Sequence, residues 1–308
     1  LQAVFGGSAL LGGQSILAQV IIMRGIILLA ECSTLYFGMK LLRKMNLPEK
    51  NILWYAFNPL VIIELTGNLH FEALVLGFLT PAIWLLYEQR WKFSALLFGL
   101  AVSAKLIPLL FLPFLIRRIG WIKTMLYGLL VGAVFVVLFL PFVNQELISN
   151  FFSSIDLYFR KFEFNASLYY ITRWFGFQVT GYNIIQFTGP VFAVVTCFAI
   201  LFLAWKERTD SGNPLAIGSF FRNITFALLI YYLLATTVHP WYATLLVFAG
   251  SFAGLRFPLF WSAVIFVSYF AYQQTGFKEH AVLIALEYLL VAGVLFYDLR
   301  VVRQAAKS

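Results

Sequence analysis

Thr124-Met125-Leu126-Tyr127-Gly128-Leu129-Leu130-Val131-Gly132-Ala133-Val134-Phe135-Val136-Val137-Leu138-Phe139-Leu140-Pro141-Phe142 runs without a single charged side chain. A helix needs roughly 20 predominantly apolar residues to cross the ~30 Å hydrocarbon layer of a bilayer, and this run supplies them. Similar runs recur from end to end. Of 308 residues, 62% are hydrophobic and 11% charged, where a soluble domain carries about a quarter charged residues. No long apolar–polar alternation appears, as a membrane barrel would require. The expected fold is all-α: a polytopic helical membrane protein, one integral membrane domain over residues 1–308.

Working outward from that run, charge sets the direction of each crossing, because Lys and Arg favour the cytoplasmic side. Residues 1–13 are too short to span and read as an interfacial helix. Spans follow at 15–42, 52–66 and 71–87. The segment 93–115 looks like one crossing, but one crossing would place Arg117, Arg118 and Lys123 outside. A hairpin of two short helices, 93–104 and 107–116 with Lys105 at its tip, removes that conflict. Spans at 121–142, 184–205, 224–237, 241–255, 258–273 and 281–299 complete about nine crossings. A polar inner loop at 206–222 carries turn formers at 210–214. The inner side then holds Lys40, Arg43, Lys44, Lys50, Arg90, Lys92, Arg117, Arg118, Lys123, Lys206, Arg208, Arg222, Arg256, Arg300, Arg303 and Lys307. The outer side holds Lys105, Arg160, Lys161, Arg173 and Lys278, with Arg24 inside a span. Residues 143–183 form one large outer loop, whose mixture of aromatic and charged residues suits helices lying on the membrane surface.

This topology puts four polar clusters on one face: 66–72, Lys105, 160–173 and 237–242. Charged groups within apolar sequence cost roughly 2.5–3.5 kcal/mol each on insertion scales, so they mark wet cavities or edges. Lys105, Arg160, Lys161 and Arg173 are the cations available to a lipid phosphate. Loop charges contacting lipid headgroups explain the last three equally well. His70 and Glu72, two apart, cannot share a helix face and make a poor catalytic dyad. Asn68 suits an N-cap ahead of the third span, while Asn68, His70 and Glu72 together could line a sugar site. His239, Trp241 and Tyr242 fit either a sugar platform or an interfacial belt with Pro240 starting a helix. Arg24 and Glu31, seven apart, share a helical face and read as an internal pair or a snorkelling arginine.

Several classes are excluded. No Gly-rich nucleotide loop, Ser-His-Asp signature or kinase set is present. Widely separated histidines give only a weak metal signal, so no metal site and no certain cofactor are expected, and the sequence leaves a divalent-metal requirement open. The two cysteines, Cys32 and Cys197, lie in apolar runs and read as small hydrophobes. The net charge of +9 is what cytoplasmic loops contribute and asks for no nucleic-acid partner. Asn165-Ala166-Ser167 fits the glycosylation sequon, a match common by chance. The chain opens on Leu1 without a signal-peptide pattern, and a missing N-terminal portion is expected.

Four blocks in order resemble polyprenol-phosphate-mannose-dependent mannosyltransferases of the GT-C superfamily. They are Asn58-Pro59-Leu60 with Gly67-Asn68-Leu69-His70-Phe71-Glu72; Ala101-Val102-Ser103-Ala104-Lys105-Leu106-Ile107-Pro108; Phe162-Glu163-Phe164-Asn165-Ala166-Ser167-Leu168-Tyr169-Tyr170; and Thr237-Val238-His239-Pro240-Trp241-Tyr242. The second and third look like the first mannosyltransferase of GPI-anchor synthesis, the first and fourth like bacterial lipoglycan mannosyltransferases. The resemblance implies an inverting glycosyltransferase that moves a hexose, mannose by analogy, from a polyprenyl-phosphate donor to a glycan or glycolipid acceptor on the outer or luminal face. It adds Asn165 and Tyr169 to the substrate-binding candidates. It also implies a bacterial inner membrane or, alternatively, an endoplasmic reticulum membrane, and a catalytic aspartate in an outer loop upstream of Leu1. A transporter or lipid-linked glycan flippase, and an O-antigen polymerase or ligase, are the rival readings.

Overall fold

The computed structural model describes residues 1–207, 217–273 and 277–305. Arg208, the turn formers at 210–214, Lys307 and the side chain of Arg303 lie outside the described residues. The fold is all-α, as expected. Among the described residues the only β-type pairing is a single parallel bridge between Phe164 and Thr237. Among the described residues four helices are long and apolar enough to cross a membrane: Ile16–Lys44, Trp121–Phe142, Ile185–Lys206 and Ala281–Val301. Shorter apolar helices lie between them. The described residues form two compact units, 1–141 with 217–218, and 142–207 with 219–273 and 277–305.

Ile16–Lys44 is capped by Ser15, whose hydroxyl accepts the Ala18 N–H, and ends in Arg43 and Lys44. The return strand of chain reaches from Glu49, which grips Arg43, past Tyr55, which donates to Glu31 at 2.8 Å, to Thr66 and Gly67. The carbonyls of those last two accept from Arg24 at 3.0 and 3.3 Å. Arg24 and Lys44 are twenty residues apart, roughly 30 Å along a helix, or about one hydrocarbon thickness. This crossing is not the single helix expected over 52–66. It is built from Glu49–Ile52, Leu53–Ala56, Pro59–Val61 and a π-helical turn, Ile62–Gly67. Pro59 has no N–H to continue a helix, and Asn58 caps the restart by accepting from Leu60 N–H. Nor do Arg24 and Glu31 pair with each other; each instead ties the first span to this broken crossing.

Glu72–Tyr87 then returns to the end of the first span, where Lys44 meets Glu88 at 2.6 Å. The bend between Pro59–Gly67 and Glu72–Tyr87 is 111°. The return helix lies close against the first span. A Cβ on Gly77 would come 2.8 Å from that of Ala30, and Ser33 donates to the Gly77 carbonyl. The hairpin expected at Lys105 is present in modified form. Trp91–Ala104 is an α-helix, Lys105 is extended, and Ile107–Leu115 is a 3₁₀ helix. Pro113 removes an N–H group that an α-helix would need there, while Pro108 sits in the first turn, where a missing N–H is tolerated. That the chain doubles back follows from the next helix: Ser94 bonds Tyr127 and Gly99 packs on Val134, so Trp91–Ala104 and Trp121–Phe139 run parallel.

In the second unit residues 143–183, expected as one large outer loop, are mostly helical. Gln145–Arg160 is amphipathic with none of its residues buried, capped by Asn144, and Leu168–Thr180 follows. Gly189 of Ile185–Lys206 takes the Phe159 carbonyl against its bare α-carbon. The inner loop expected over 206–222 is shorter than predicted, because a helix runs Ile217–Leu234. Pro240 starts a short 3₁₀ turn that leads into Ala243–Ala253. Phe257–Val264 runs antiparallel to Ala281–Ala305. Asp298 accepts the Arg256 and Phe257 N–H groups at 2.7 and 2.9 Å, and Trp261 bonds Glu287.

Candidate functional site

In the first unit, the π-helical turn decides the local geometry. It carries Glu64, wholly buried, and is closed by Asn68 N–H donating to the Ile63 carbonyl at 2.8 Å. Leu69 follows at φ 60°, a left-handed conformation costly for a leucine. This kink returns His70 to the turn it has just left. His70 N–H donates to the Glu64 carbonyl, and its Nε2 lies 3.4 Å from Glu64 Oε2. Asn68 Nδ2 donates to the same oxygen at 3.2 Å. Glu64 thus gathers Asn68 and His70, two of the three polar side chains that the sequence singled out in this stretch.

Glu72 opens the next helix, where a carboxylate is favoured by the N-terminal end of the helix dipole. Asn68 is not the cap of that helix: Phe71 holds the cap position and offers no side-chain bond. Two extra residues, Leu69 in its left-handed turn and His70, separate Asn68 from it. Glu72 is fully buried and ion-paired with Lys105 across the unit; its Oε2 has no hydrogen-bond partner among the described residues. Lys105, at the hairpin tip, is therefore brought to the 66–72 cluster.

In the second unit, the blocks 162–170 and 237–242 come together. Phe164 N–H donates to the Thr236 carbonyl, and Val238 N–H donates to the Phe164 carbonyl. The His239 ring lies between Phe164 and Trp241, with centroids 4.8 and 4.3 Å away, and Tyr242 meets it edge-on. Asn165 is buried at φ 46°, a left-handed conformation asparagine tolerates better than most residues. Its N–H donates to Glu279 at 2.6 Å, its amide donates to Glu287 at 3.2 Å, and its carbonyl accepts from Tyr288 at 2.7 Å. Tyr170 donates to Glu279. Burial pushes the Glu279 carboxyl above the usual range, against the opposing bonds from Tyr170 and Asn165. Tyr169 is buried between Glu163 and Asn183.

The candidate cations Arg160, Lys161 and Arg173 have partners within the chain. Arg173 pairs with Glu163 and stacks on Tyr170. Arg160 and Lys161 both reach Asp156 on the exposed amphipathic helix. Among the described residues no group of three His, Cys, Asp or Glu could hold a metal.

Sequence reading passed over Glu64, Glu279, Glu287 and Tyr288. The four-residue spacing of Glu64 and Asn68 was the available signal for the first. For Glu287 it was the presence of a carboxylate inside a membrane-grade run.

Residues 4–121 match the model of a family described as MptA_B family, alpha-(1->6)-mannopyranosyltransferase, N-terminal domain. The matched stretch contains the Glu64–Lys105 cluster and supports glycosyltransferase activity of the mannosyltransferase type at family level. No curated protein and no solved structure matches the chain.

Proposed function

We propose that the chain is a membrane glycosyltransferase that moves a hexose, mannose by family analogy, from a polyprenyl-phosphate donor to a glycan or glycolipid acceptor. The observation that carries this reading is the convergence of Glu64, Asn68, His70, Glu72 and Lys105 at one break in the helices, inside the stretch that matches the mannosyltransferase family. Breaking a span at this point gives up helical hydrogen bonds, and polar groups gathered at such a break are how membrane proteins build wet sites.

Transfer forms a bond between an acceptor hydroxyl oxygen and the anomeric carbon. The bond from that carbon to the phosphate oxygen breaks, the phosphate leaves with the electron pair, and the hydroxyl proton goes to a base. In the first unit we assign Lys105 to the departing phosphate; in the second unit Arg173 is the candidate phosphate cation of that unit, with Arg160 and Lys161 as weaker candidates held on the surface helix. His70 and Asn68 are assigned to the sugar or its acceptor, with Glu64 orienting both. Glu72 acts by holding Lys105. Asn165 and Tyr169 shape the second unit's loop, and His239, Trp241 and Tyr242 supply an aromatic platform. Placement of the reaction on the outer face of a bacterial inner membrane belongs to the same proposal.

The test is a transfer assay on membranes carrying the chain, with a lipid-phosphate mannose and an oligosaccharide acceptor. His70→Ala is expected to lower kcat/KM by about 100-fold, the scale of losing one well-placed polar group. Movement of the intact lipid-linked sugar across the bilayer, without transfer, would overturn the reading in favour of a flippase.

A further inference from the structure

The first unit gathers cations at the end away from the Glu64–Lys105 cluster, and the reaction above does not use them. From Gln89 to Gln145 the chain contains no Asp or Glu, yet it holds Arg90, Lys92, Lys105, Arg117, Arg118 and Lys123. Lys105 answers Glu72. Near the end of the first span the chain supplies its own counterions, Glu49 for Arg43 and Glu88 for Lys44. Arg90, Lys92 and Lys123 are exposed and form no ion pair among the described residues.

Two helices bring a pair of these cations together. Trp91–Ala104 and Trp121–Phe139 run parallel, joined by the Ser94 and Tyr127 hydroxyls at 2.9 Å. Arg90 lies four residues before Ser94, and Lys123 four before Tyr127. Residues four apart stack on one helix face. Both cations therefore flank the same inter-helix groove, one turn, about 5.4 Å, beyond the bonded hydroxyls. The Arg90 carbonyl accepts the Ser94 N–H at 3.0 Å, which fixes that turn. Trp91 and Trp121 begin the two helices, and Lys92 lies 5.8 Å from the Trp91 ring centroid. Tryptophan beside Lys and Arg is the pattern of a membrane–water interface. Just beyond, Phe93 and Leu96 on one helix and Ile122, Met125 and Leu129 on the other are exposed. A guanidinium and an ammonium across a groove, with apolar surface beside them, match a phosphate attached to acyl chains. A free anion would use the cations and leave the apolar surface uncovered.

We infer that this groove binds an anionic phospholipid of the surrounding bilayer, its headgroup phosphate clamped between Arg90 and Lys123 and its acyl chains lying along the exposed apolar residues. Lys92 adds to the field that selects a net negative headgroup. A zwitterionic headgroup brings its own ammonium to the same cations and binds less well. Because the two cations stand on different helices, the lipid ties the helix that leads to Lys105 to its neighbour, about 20 Å from that lysine.

The test is native mass spectrometry of the full chain in detergent, titrated with phosphatidylglycerol or with phosphatidylcholine carrying the same acyl chains. The first phosphatidylglycerol should bind about tenfold more tightly than phosphatidylcholine. Arg90→Gln and Lys123→Gln should each weaken it by about fivefold, the scale of one cation near a lipid surface, and the double variant by about 30-fold. Arg90→Lys and Lys123→Arg keep the charge and should retain the affinity within about twofold. Loss in these charge-keeping variants would make the effect structural and overturn the inference, whatever the glutamine variants do to folding. Lys206→Gln/Arg256→Gln removes the same charge from the second unit and should leave the first binding step unchanged. An equal loss in that control reports net charge only and overturns the clamp. Inorganic phosphate should not displace the lipid; displacement would hand the site to a free anion and overturn the lipid assignment. Equal affinity for the two lipids would do so as well.

Discussion

Glu72 and Lys105 are thirty-three residues apart, yet neither is understandable alone. Glu72 is fully buried, and removing its cation would strand a carboxylate, which costs about 3–5 kcal/mol for a buried pair. Lys105 keeps part of its surface, so the lower end applies. Lys105→Ala is therefore expected to destabilise the chain by about 3 kcal/mol, read as a fall in thermal midpoint. The double variant Glu72→Gln/Lys105→Met should recover most of that loss and still transfer no sugar. A stable double variant with full transfer would remove the pair from the site. Glu279 makes a second residue-scale prediction. Its carboxyl binds a proton more tightly in the folded chain than in the unfolded one, because burial raises its pKa from 4.5. The folded state thus holds more protons in the interval above that value, and stability must fall as pH rises through it. The thermal midpoint should decline with rising pH across this window, and Glu279→Gln should flatten the slope. Glu64 shows why residues of this kind are hard to read from sequence. Its partners depend on a π turn and a left-handed leucine, and neither leaves a compositional mark.

Among elements, the long spans were legible because their boundaries follow from apolar length alone. Ile16–Lys44 and Trp121–Phe142 fall within a few residues of expectation. The hairpin was legible from charge, since the positive residues after 115 had to return to the side they started from. What could not be read was its 3₁₀ form or the fragmentation of 52–66. Both depend on which N–H groups the prolines remove and on tertiary partners that replace them. Close helix contacts were equally hidden. Gly189 looks like any glycine in an apolar helix, yet a Cβ there would come within 1.8 Å of the Phe159 carbonyl. Gly189→Ala should therefore prise Gln145–Arg160 from Ile185–Lys206. The expected result is faster proteolysis within 145–160 and a loss of about 1–3 kcal/mol, the usual cost of overpacking. At Asn165, the sequon is silent in the folded chain because the side chain is buried. Asn165→Ala should cost about 2–4 kcal/mol, since it leaves Trp261 as the remaining donor to the buried Glu287 and forces alanine into a left-handed conformation. Asn165→Gly, which relieves only the backbone, should recover less than half.

At the scale of the molecule, the chain divides its polar groups between two compact units, each with its own gathering of acids, aromatics and cations. Nothing in the composition marks the boundary, because the unit break at 141–142 falls beside an unbroken apolar run. The topology of the first unit is testable directly. In a background lacking Cys32 and Cys197, a cysteine at Lys50 should react only with reagent on the cytoplasmic side. One at Leu69 should react only from the opposite side. The roughly 30 Å between Arg24 and Lys44 sets this separation, and same-side labelling would overturn the crossing assigned to 49–67.

The π-helical turn at Ile62–Gly67 makes the first unit's cluster depend on a count of residues as well as on their kinds. A π turn accommodates one residue more than an α turn. Deleting a single apolar residue there, with every polar group retained, would let an ordinary helix close. The following residues would then swing by about 100° around the axis, carrying Asn68 and His70 away from Glu64. The most economical way to lose this arrangement is thus a three-nucleotide deletion that leaves its entire chemical inventory intact, a change that inspection of side-chain identity alone would score as harmless.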